Sequence, residues 1–141
     1  MNVCEAEAVQ LHRFGARPSE VRRVRHFVGD LMAGHPSVDD VVTAVSELAA
    51  NAVQHSASGG ADFMLRVAHV HGAVRIEVTN AGGEDRPELG RNDPDATAGR
   101  GLFIVDSLSR RWGVVQSPAQ ISVWCEIDCI HSPAIRERVA A

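Results

Sequence analysis

The sequence has no lysine, no tyrosine and few aromatic residues, which make up 4% of its 141 residues. The lack of lysine excludes a Schiff-base amine and the phosphate-binding lysine of a Walker loop. All 14 basic residues are therefore arginine, and 18 acidic residues outnumber them. The formal net charge of −4 argues against direct nucleic-acid binding and against binding to membrane surfaces.

Long apolar runs and a complete set of cysteine pairs are also missing. No apolar run approaches the roughly 20 residues that a membrane helix requires, and no basic segment leads into an apolar one near the N-terminus. The cysteine count is 3 (Cys4, Cys125 and Cys129), an odd number that cannot form a complete disulfide framework. We therefore expect a soluble, cytoplasmic protein without a signal peptide.

A hydrophobic fraction of 45% and a charged fraction of 23% are typical of a globular chain. The length suits a single domain over residues 1–141, with a core over about 8–127 and a tail over 128–141. Helical periods in the first half and alternating periods later predict an α+β fold. In this fold three main helices cover one face of a mixed, mostly antiparallel sheet of about five strands.

Local patterns predict where these elements begin and end. Ser19 is the expected cap of the first helix, with Glu20 near the positive end of its dipole. The pair His71-Gly72 predicts the tight turn of a hairpin. The other predictions are a strand over 6–14, a long helix over 38–56, hairpin strands over 63–67 and 74–79, a helix from Gly101, and strands over 112–116 and 121–127.

The predicted long helix carries an acid, an amide and an imidazole four residues apart: Glu47, Asn51 and His55. This spacing aligns the three side chains in one stripe along the helix. One interpretation is an exposed polar face. The other is functional, with Glu47 as a base and the side-chain oxygen of Asn51 as a ligand for a hard cation.

Glycines flank a polar segment over residues 80–99, which we interpret as a functional loop or lid. Asn80-Ala81-Gly82-Gly83 follows a predicted strand, and Gly99-Arg100-Gly101 precedes a predicted helix. Glycine allows backbone N–H groups to approach a ligand, and a helix N-terminus favours phosphate. The second glycine segment alone is equally consistent with a plain turn, and neither segment matches a Rossmann or Walker fingerprint.

Three segments in this order resemble a known superfamily. They are SELAANAVQH (46–55), IEVTNAGG (76–83) and GRGLFIVDSL (99–108), followed by RWGV. Together they resemble the GHKL, or Bergerat-fold, ATPases over roughly residues 9–126. Within this superfamily the sequence is most similar to the anti-sigma-factor serine/threonine kinases, which are switch-protein kinases of the RsbW/SpoIIAB-like type.

The resemblance implies a Bergerat-type two-layer α/β sandwich that binds ATP and Mg²⁺. Asn51 matches the family asparagine that binds the Mg²⁺ chelated by the ATP phosphates. Glu47 matches the proposed general base, which takes the proton from a substrate serine. The implied nucleotide contacts are Asn51, Asn80, Gly82, Gly99, Arg100, Gly101 and Leu102.

The resemblance also implies partners. Kinases of this type phosphorylate a small anti-sigma-factor antagonist, a STAS-type protein, on serine or threonine, and they sequester a sigma factor. Unphosphorylated antagonist captures the kinase, which then releases its sigma factor. The family is often dimeric, so a homodimer is left open. The arginine-rich first helix is either a solvated face or part of the docking surface for an acidic partner.

Some positions depart from the family pattern. Asn80 stands where the family has an aspartate that accepts from the adenine amino group, and Glu84 stands at the second glycine of that box. Thr97 replaces an arginine of some members, and the last box reads 119-AQIS-122. These departures favour an alternative, a catalytically weak or inactive binding module that sequesters a sigma factor or antagonist. A free-standing histidine-kinase catalytic domain is the third hypothesis, and it is disfavoured because no long phosphoacceptor helix precedes the domain.

The remaining candidate metal ligands are two histidines and two cysteines. His69 and His71 alternate on one face of a predicted strand, but no third ligand lies nearby in the sequence. Cys125 is predicted to lie in the core, so we expect no zinc or redox role for it or for Cys129.

Overall fold

The computed structural model describes residues 9–55, 62–81 and 97–129, which form three helices and five strands. In chain order they are β1 (Gln10–Phe14), α1 (Pro18–Leu31), α2 (Val38–His55), β2 (Phe63–Val70), β3 (Ala73–Ala81), α3 (Thr97–Leu108), β4 (Arg111–Gln116) and β5 (Gln120–Asp128). The predicted α+β fold is confirmed. Residues 6–8 of the predicted first strand, Ser56, Gly82, the lid up to residue 96 and residues 130–141 of the predicted tail lie outside the described residues. The prediction that the tail begins at residue 128 is wrong, because Asp128 is the last residue of β5.

The five strands form one sheet in the order β1-β2-β3-β5-β4, and every neighbouring pair is antiparallel. The expected mixed sheet is therefore wrong for the described strands. The reason is that β3 and β4 run in the same direction but β5 lies between them, so they do not pair. The predicted hairpin of β2 and β3 is confirmed. Its turn has positive φ at both central residues, 38° at His71 and 77° at Gly72, as a type I′ hairpin turn requires.

Two helices begin earlier than the sequence predicted. Pro18 is the first residue of α1, and the cap position is Arg17, whose side chain makes no capping bond. Proline suits the first helical position because its missing N–H would have no partner there. Ser19 is therefore not the cap. The helix α3 begins at Thr97 instead of near Gly101, so the glycine segment lies inside its first two turns.

The hydrophobic core lies between the helices and one face of the sheet. The central helix α2 contacts α1 and α3 on either side and β3 and β5 below. Alternate strand residues such as Leu65, Ile76 and Cys125 are buried against these helices. Cys125 lies in the core, as predicted. Burial raises the pKa of its thiol to about 12, so the thiol is protonated. None of the helices in the described ranges is long and apolar enough to cross a membrane.

Candidate functional site

The helix α2 turns one polar residue of the Glu47–Asn51–His55 stripe into the protein interior. Asn51 is only 6% exposed, and its side-chain oxygen Oδ1 is fully buried with no hydrogen-bond partner in the described structure. Buried polar atoms are nearly always paired, and an unpaired one calls for an explanation such as a missing ion. The interpretation of this stripe as an exposed polar face is therefore wrong for Asn51.

Glu47 lies one helical turn before Asn51 and faces the first turns of α3. A β-carbon built on Gly101 would lie 2.7 Å from Oε2 of Glu47, closer than real contacts allow. Glycine at position 101 thus lets the backbone of α3 approach the Glu47 carboxylate. The half-buried carboxylate lies close to the second turn of α3, and the N-terminus of this helix favours negatively charged ligands.

Asn80 is the second buried amide and lies near the end of β3. In the sheet register it sits between Phe63 of β2 and Ile121 of β5, on the helix-covered face. Asn80 is 5% exposed, and its amide nitrogen Nδ2 is fully buried without a hydrogen-bond partner in the described structure. The two amides thus leave one acceptor and one donor unpaired in the interior.

The packing of three elements connects these residues. Asn80 lies near the end of β3 and pairs with Phe63, the first residue of β2. The helix α2 also packs against both α3 and β3. Glu47 and Asn51 lie on α2, Gly101 on α3 and Asn80 on β3, and we call the region where α2 packs against α3 and β3 the junction.

The donor set at this junction fits a magnesium-bound phosphate ligand. An amide oxygen is a ligand type that Mg²⁺ accepts, together with water and phosphate oxygens. The N-terminal turn of α3 supplies the positive end of a helix dipole, which favours phosphate. Asn51 would hold the cation and α3 would face the phosphates.

The remaining predicted contacts belong mostly to α3. Gly99 and Arg100 lie in its first turn. The side chain of Leu102 is buried in the hydrophobic core, so a contact from this residue to a ligand would use its backbone. Gly82 lies outside the described residues.

In the last segment of the family pattern, residues 119–122, the hydroxyl of Ser122 lies on the opposite face of the sheet. The hydroxyl groups of Ser122 and Thr79 lie 2.6 Å apart and share a hydrogen bond. Both residues alternate with Asn80 and Ile121, and they point away from the helices. Ser122 is therefore separated by the sheet from the buried amide of Asn80.

This outer face of the sheet also carries an arginine cluster that the sequence analysis missed. The Glu126 carboxylate is 1% exposed and accepts hydrogen bonds from Arg75, Arg110 and Arg111, at donor–acceptor distances from 2.8 to 3.2 Å. The hydrogen bonds from Arg111, followed by those from Arg75 and Arg110, lower the pKa of Glu126 to about 2. The Arg75 guanidinium also stacks 4.0 Å from the ring centroid of Trp124. The alternating pattern of β3 and β5 was visible in the sequence, but their pairing was not.

No metal site forms from the candidate histidines in the described part of the chain. His71 lies in the hairpin turn, and no group of three or more His, Cys, Asp or Glu residues in the described ranges is arranged to hold a metal. This observation does not bear on a cation held by Asn51, because an amide and phosphate oxygens are outside that set of residues.

The family comparison agrees with the geometry. Residues 14–125 match the sequence model of the histidine kinase-like ATPase domain. The match spans most of the chain, and the protein therefore belongs to this family of ATPase domains.

A solved structure has a similar fold. It contains the RsbU and RsbW domains of Rv1364c from Mycobacterium tuberculosis, with a TM-score of 0.67 and 18% sequence identity to this chain. The similarity covers 89% of this chain and 33% of that one, so this chain spans about a third of the length of that structure. At this identity the likeness shows the fold alone. No curated protein matches the sequence.

Proposed function

We propose that this protein is an anti-sigma regulatory factor that binds Mg-ATP and phosphorylates a serine or threonine of an anti-sigma-factor antagonist. The observation that carries the proposal is the buried, unpaired oxygen of Asn51, one helical turn after a carboxylate that faces the start of α3. Membership of the histidine kinase-like ATPase family supports nucleotide binding. The fold similarity to a structure that includes an RsbW domain supports the anti-sigma kinase class.

In this proposal each polar residue of the junction has one task. Asn51 binds Mg²⁺ together with the phosphates, while Gly82, Gly99, Arg100, Gly101 and Leu102 line the phosphate side and Asn80 contacts the base. Bound Mg-ATP supplies the phosphoryl group. Glu47 accepts the proton that the substrate hydroxyl loses, which makes the hydroxyl oxygen a better nucleophile.

The proposed partners are a sigma factor and a STAS-type antagonist, in the cytoplasm, with a homodimer as a further assembly. The arginine-rich helix α1 is the proposed contact for an acidic partner. A groove between α1 and α2 is lined by Arg22, Arg25 and His26 together with Asp30 and Asp39, so the groove itself carries charges of both signs.

A catalytically weak or inactive binding module remains the second candidate. The observation that favours it is Asn80, since an uncharged amide replaces the carboxylate expected at the base-binding position. In this case the same junction would bind little nucleotide, and the protein would act by sequestering a sigma factor or antagonist.

Phosphoryl transfer separates the two candidates. The purified protein is incubated with labelled Mg-ATP and each STAS-type protein encoded in the same genome, and label on serine or threonine of the antagonist is measured. Transfer that requires Glu47 supports the kinase. A stable complex with an antagonist or sigma factor, with no transfer at saturating ATP, supports the binding module and overturns the kinase.

A further inference from the structure

We propose that the nucleotide site accepts 6-oxopurine nucleotides, such as ITP and GTP, with affinity similar to that for ATP, because Asn80 reads the 6-position of the base with an amide. This inference rests on the proposed function, since it concerns the base end of the same nucleotide site. It starts from the unpaired donor Nδ2 of Asn80, which is buried at the end of β3.

The surroundings of Asn80 leave this donor without an obvious partner inside the sheet. The residues paired with Asn80 across the ladder are Phe63 and Ile121, which are buried and apolar. The hydroxyls of Thr79 and Ser122, which are adjacent in sequence to Asn80 and Ile121, bond each other on the opposite face. A buried donor without an internal partner favours a ligand that presents an acceptor to it.

The chemistry of the purine 6-position decides what this donor recognises. Adenine presents an amino donor there, whereas a 6-oxopurine presents an oxygen acceptor. The unpaired Nδ2 matches the oxygen. A rotation of the amide by a half turn exchanges its oxygen and nitrogen, and then the amide oxygen accepts from the adenine amino group.

A carboxylate at the same position cannot exchange a donor for an acceptor by rotating. An ionised aspartate only accepts hydrogen bonds, so it pairs with the adenine amino group. It forms no hydrogen bond with the oxygen of a 6-oxopurine, because both groups are acceptors. Sites built to bond one polar group reject an analogue that leaves their buried polar atoms unpaired. Asparagine therefore relaxes a selectivity for adenine that aspartate would impose.

Calorimetric titration with Mg-ATP and Mg-ITP tests the proposal. ITP differs from ATP at the 6-position and the adjacent ring nitrogen, and both share the triphosphate that binds elsewhere in the site. For the wild-type protein we expect dissociation constants within about tenfold of each other. For Asn80→Asp, measured at pH 8 so that the carboxylate is ionised, we expect ATP to bind more than about 100-fold tighter than ITP.

Thermal unfolding of both proteins establishes that the variant is folded. The proposal is overturned if the wild type binds ATP but binds ITP more than about 100-fold more weakly; the nucleotide site of the proposed function then stands. It is also overturned if Asn80→Asp binds both nucleotides as the wild type does, because Asn80 then does not read the base. Binding of neither nucleotide by the wild type overturns the proposed nucleotide site itself, and this inference with it.

Discussion

The two faces of the sheet differ in whether their buried polar groups have hydrogen-bond partners. On the outer face, the buried Glu126 carboxylate accepts hydrogen bonds from three arginines. On the helix-covered face, Asn51 and Asn80 bury a polar atom each that has no partner in the described structure. The Glu126 carboxylate is paired within the chain, whereas the two amide atoms have no partner among the described residues and stay available to a ligand.

This difference distinguishes a structural cluster from a candidate binding site. Glu126 is strongly perturbed, with its pKa lowered to about 2, and such perturbation often marks functional sites. Here the same arginines that lower the pKa of Glu126 also donate the hydrogen bonds to its carboxylate. The unpaired amides are a better indication of function because removing water from them is unfavourable until something binds.

The largest expected effect is the loss of phosphoryl transfer when Glu47, on the helix that covers the sheet, is replaced. Glu47→Gln keeps the size of the side chain but removes the base, so phosphoryl transfer to the antagonist should fall by about 100-fold to 10,000-fold. Binding of Mg-ATP, measured by calorimetry, should remain within about twofold of the wild type because the base acts on the protein substrate. Glu77→Gln, which changes a partly exposed acid on the opposite face of the sheet, is the control and should leave transfer unchanged. Undiminished transfer by Glu47→Gln would exclude Glu47 as the base.

The next largest effect is on stability and belongs to the outer face. Glu126→Ala leaves three arginines without their shared carboxylate and should lower the free energy of unfolding by about 2–3 kcal/mol. Glu77→Ala is the matched control on the same face, since Glu77 is partly exposed and lies 3.7 Å from Arg75. We expect it to cost less than about 1 kcal/mol. Equal losses in urea unfolding would show that the Glu126 cluster is no more than a set of surface ion pairs.

The same cluster predicts a pH dependence. The folded-state pKa of Glu126, about 2, lies below its ordinary value of 4.5. The ionised carboxylate therefore stabilises the fold fully above pH 4.5, and this contribution is lost as the pH falls from 4.5 towards 2. Urea unfolding at several acidic pH values should show a steeper loss for the wild type than for Glu126→Ala. Parallel curves would contradict the assignment.

Asn51→Ala should have little effect on stability and a large effect on nucleotide affinity, in contrast to Glu126→Ala. Its oxygen has no internal partner and alanine has the higher helix propensity, so the free energy of unfolding should change by less than about 1 kcal/mol. Affinity for Mg-ATP should fall by about 10-fold to 100-fold, because a ligand of the cation is removed. If the variant instead unfolds readily and binds Mg-ATP normally, Asn51 has a structural role.

The smallest expected effect is a difference in stability between alanine substitutions at two helical glycines. Gly29→Ala places its β-carbon 3.9 Å from Val42, an ordinary contact, and should stabilise α1 by about 0.5–1 kcal/mol. Gly101→Ala should gain less, because its β-carbon would displace the Glu47 carboxylate from a distance of 2.7 Å. Phosphoryl transfer should fall by about tenfold or more only for Gly101→Ala. Equal activity of the two variants would show that the position of Glu47 does not depend on Gly101.

The sequence predicted those parts of the fold that local patterns determine. The apolar period of α2 gave its boundaries closely, and His71-Gly72 gave the hairpin because few residue pairs adopt positive φ in succession. It misassigned the start of α1, where serine is a common cap but proline at the first helical position decided the boundary. The start of α3 was also missed, because glycines usually end helices and here they lie within one.

The site was predictable to a similar extent. The spacing of Glu47 and Asn51 placed them in one stripe, but burial of Asn51 depends on how α2 packs against its neighbours. The Glu126 cluster depends on β5 entering the sheet between β3 and β4. No local pattern specifies that order, so Arg75 and Arg111 could not be assigned to the same carboxylate in advance.

The most direct test of the difference between the two faces is a calorimetric titration of the wild-type protein with ATP, with and without Mg²⁺. If the unpaired amides are ligand groups, ATP binds at micromolar concentration and the binding depends on Mg²⁺. No binding at millimolar ATP, with the protein folded, would contradict the account.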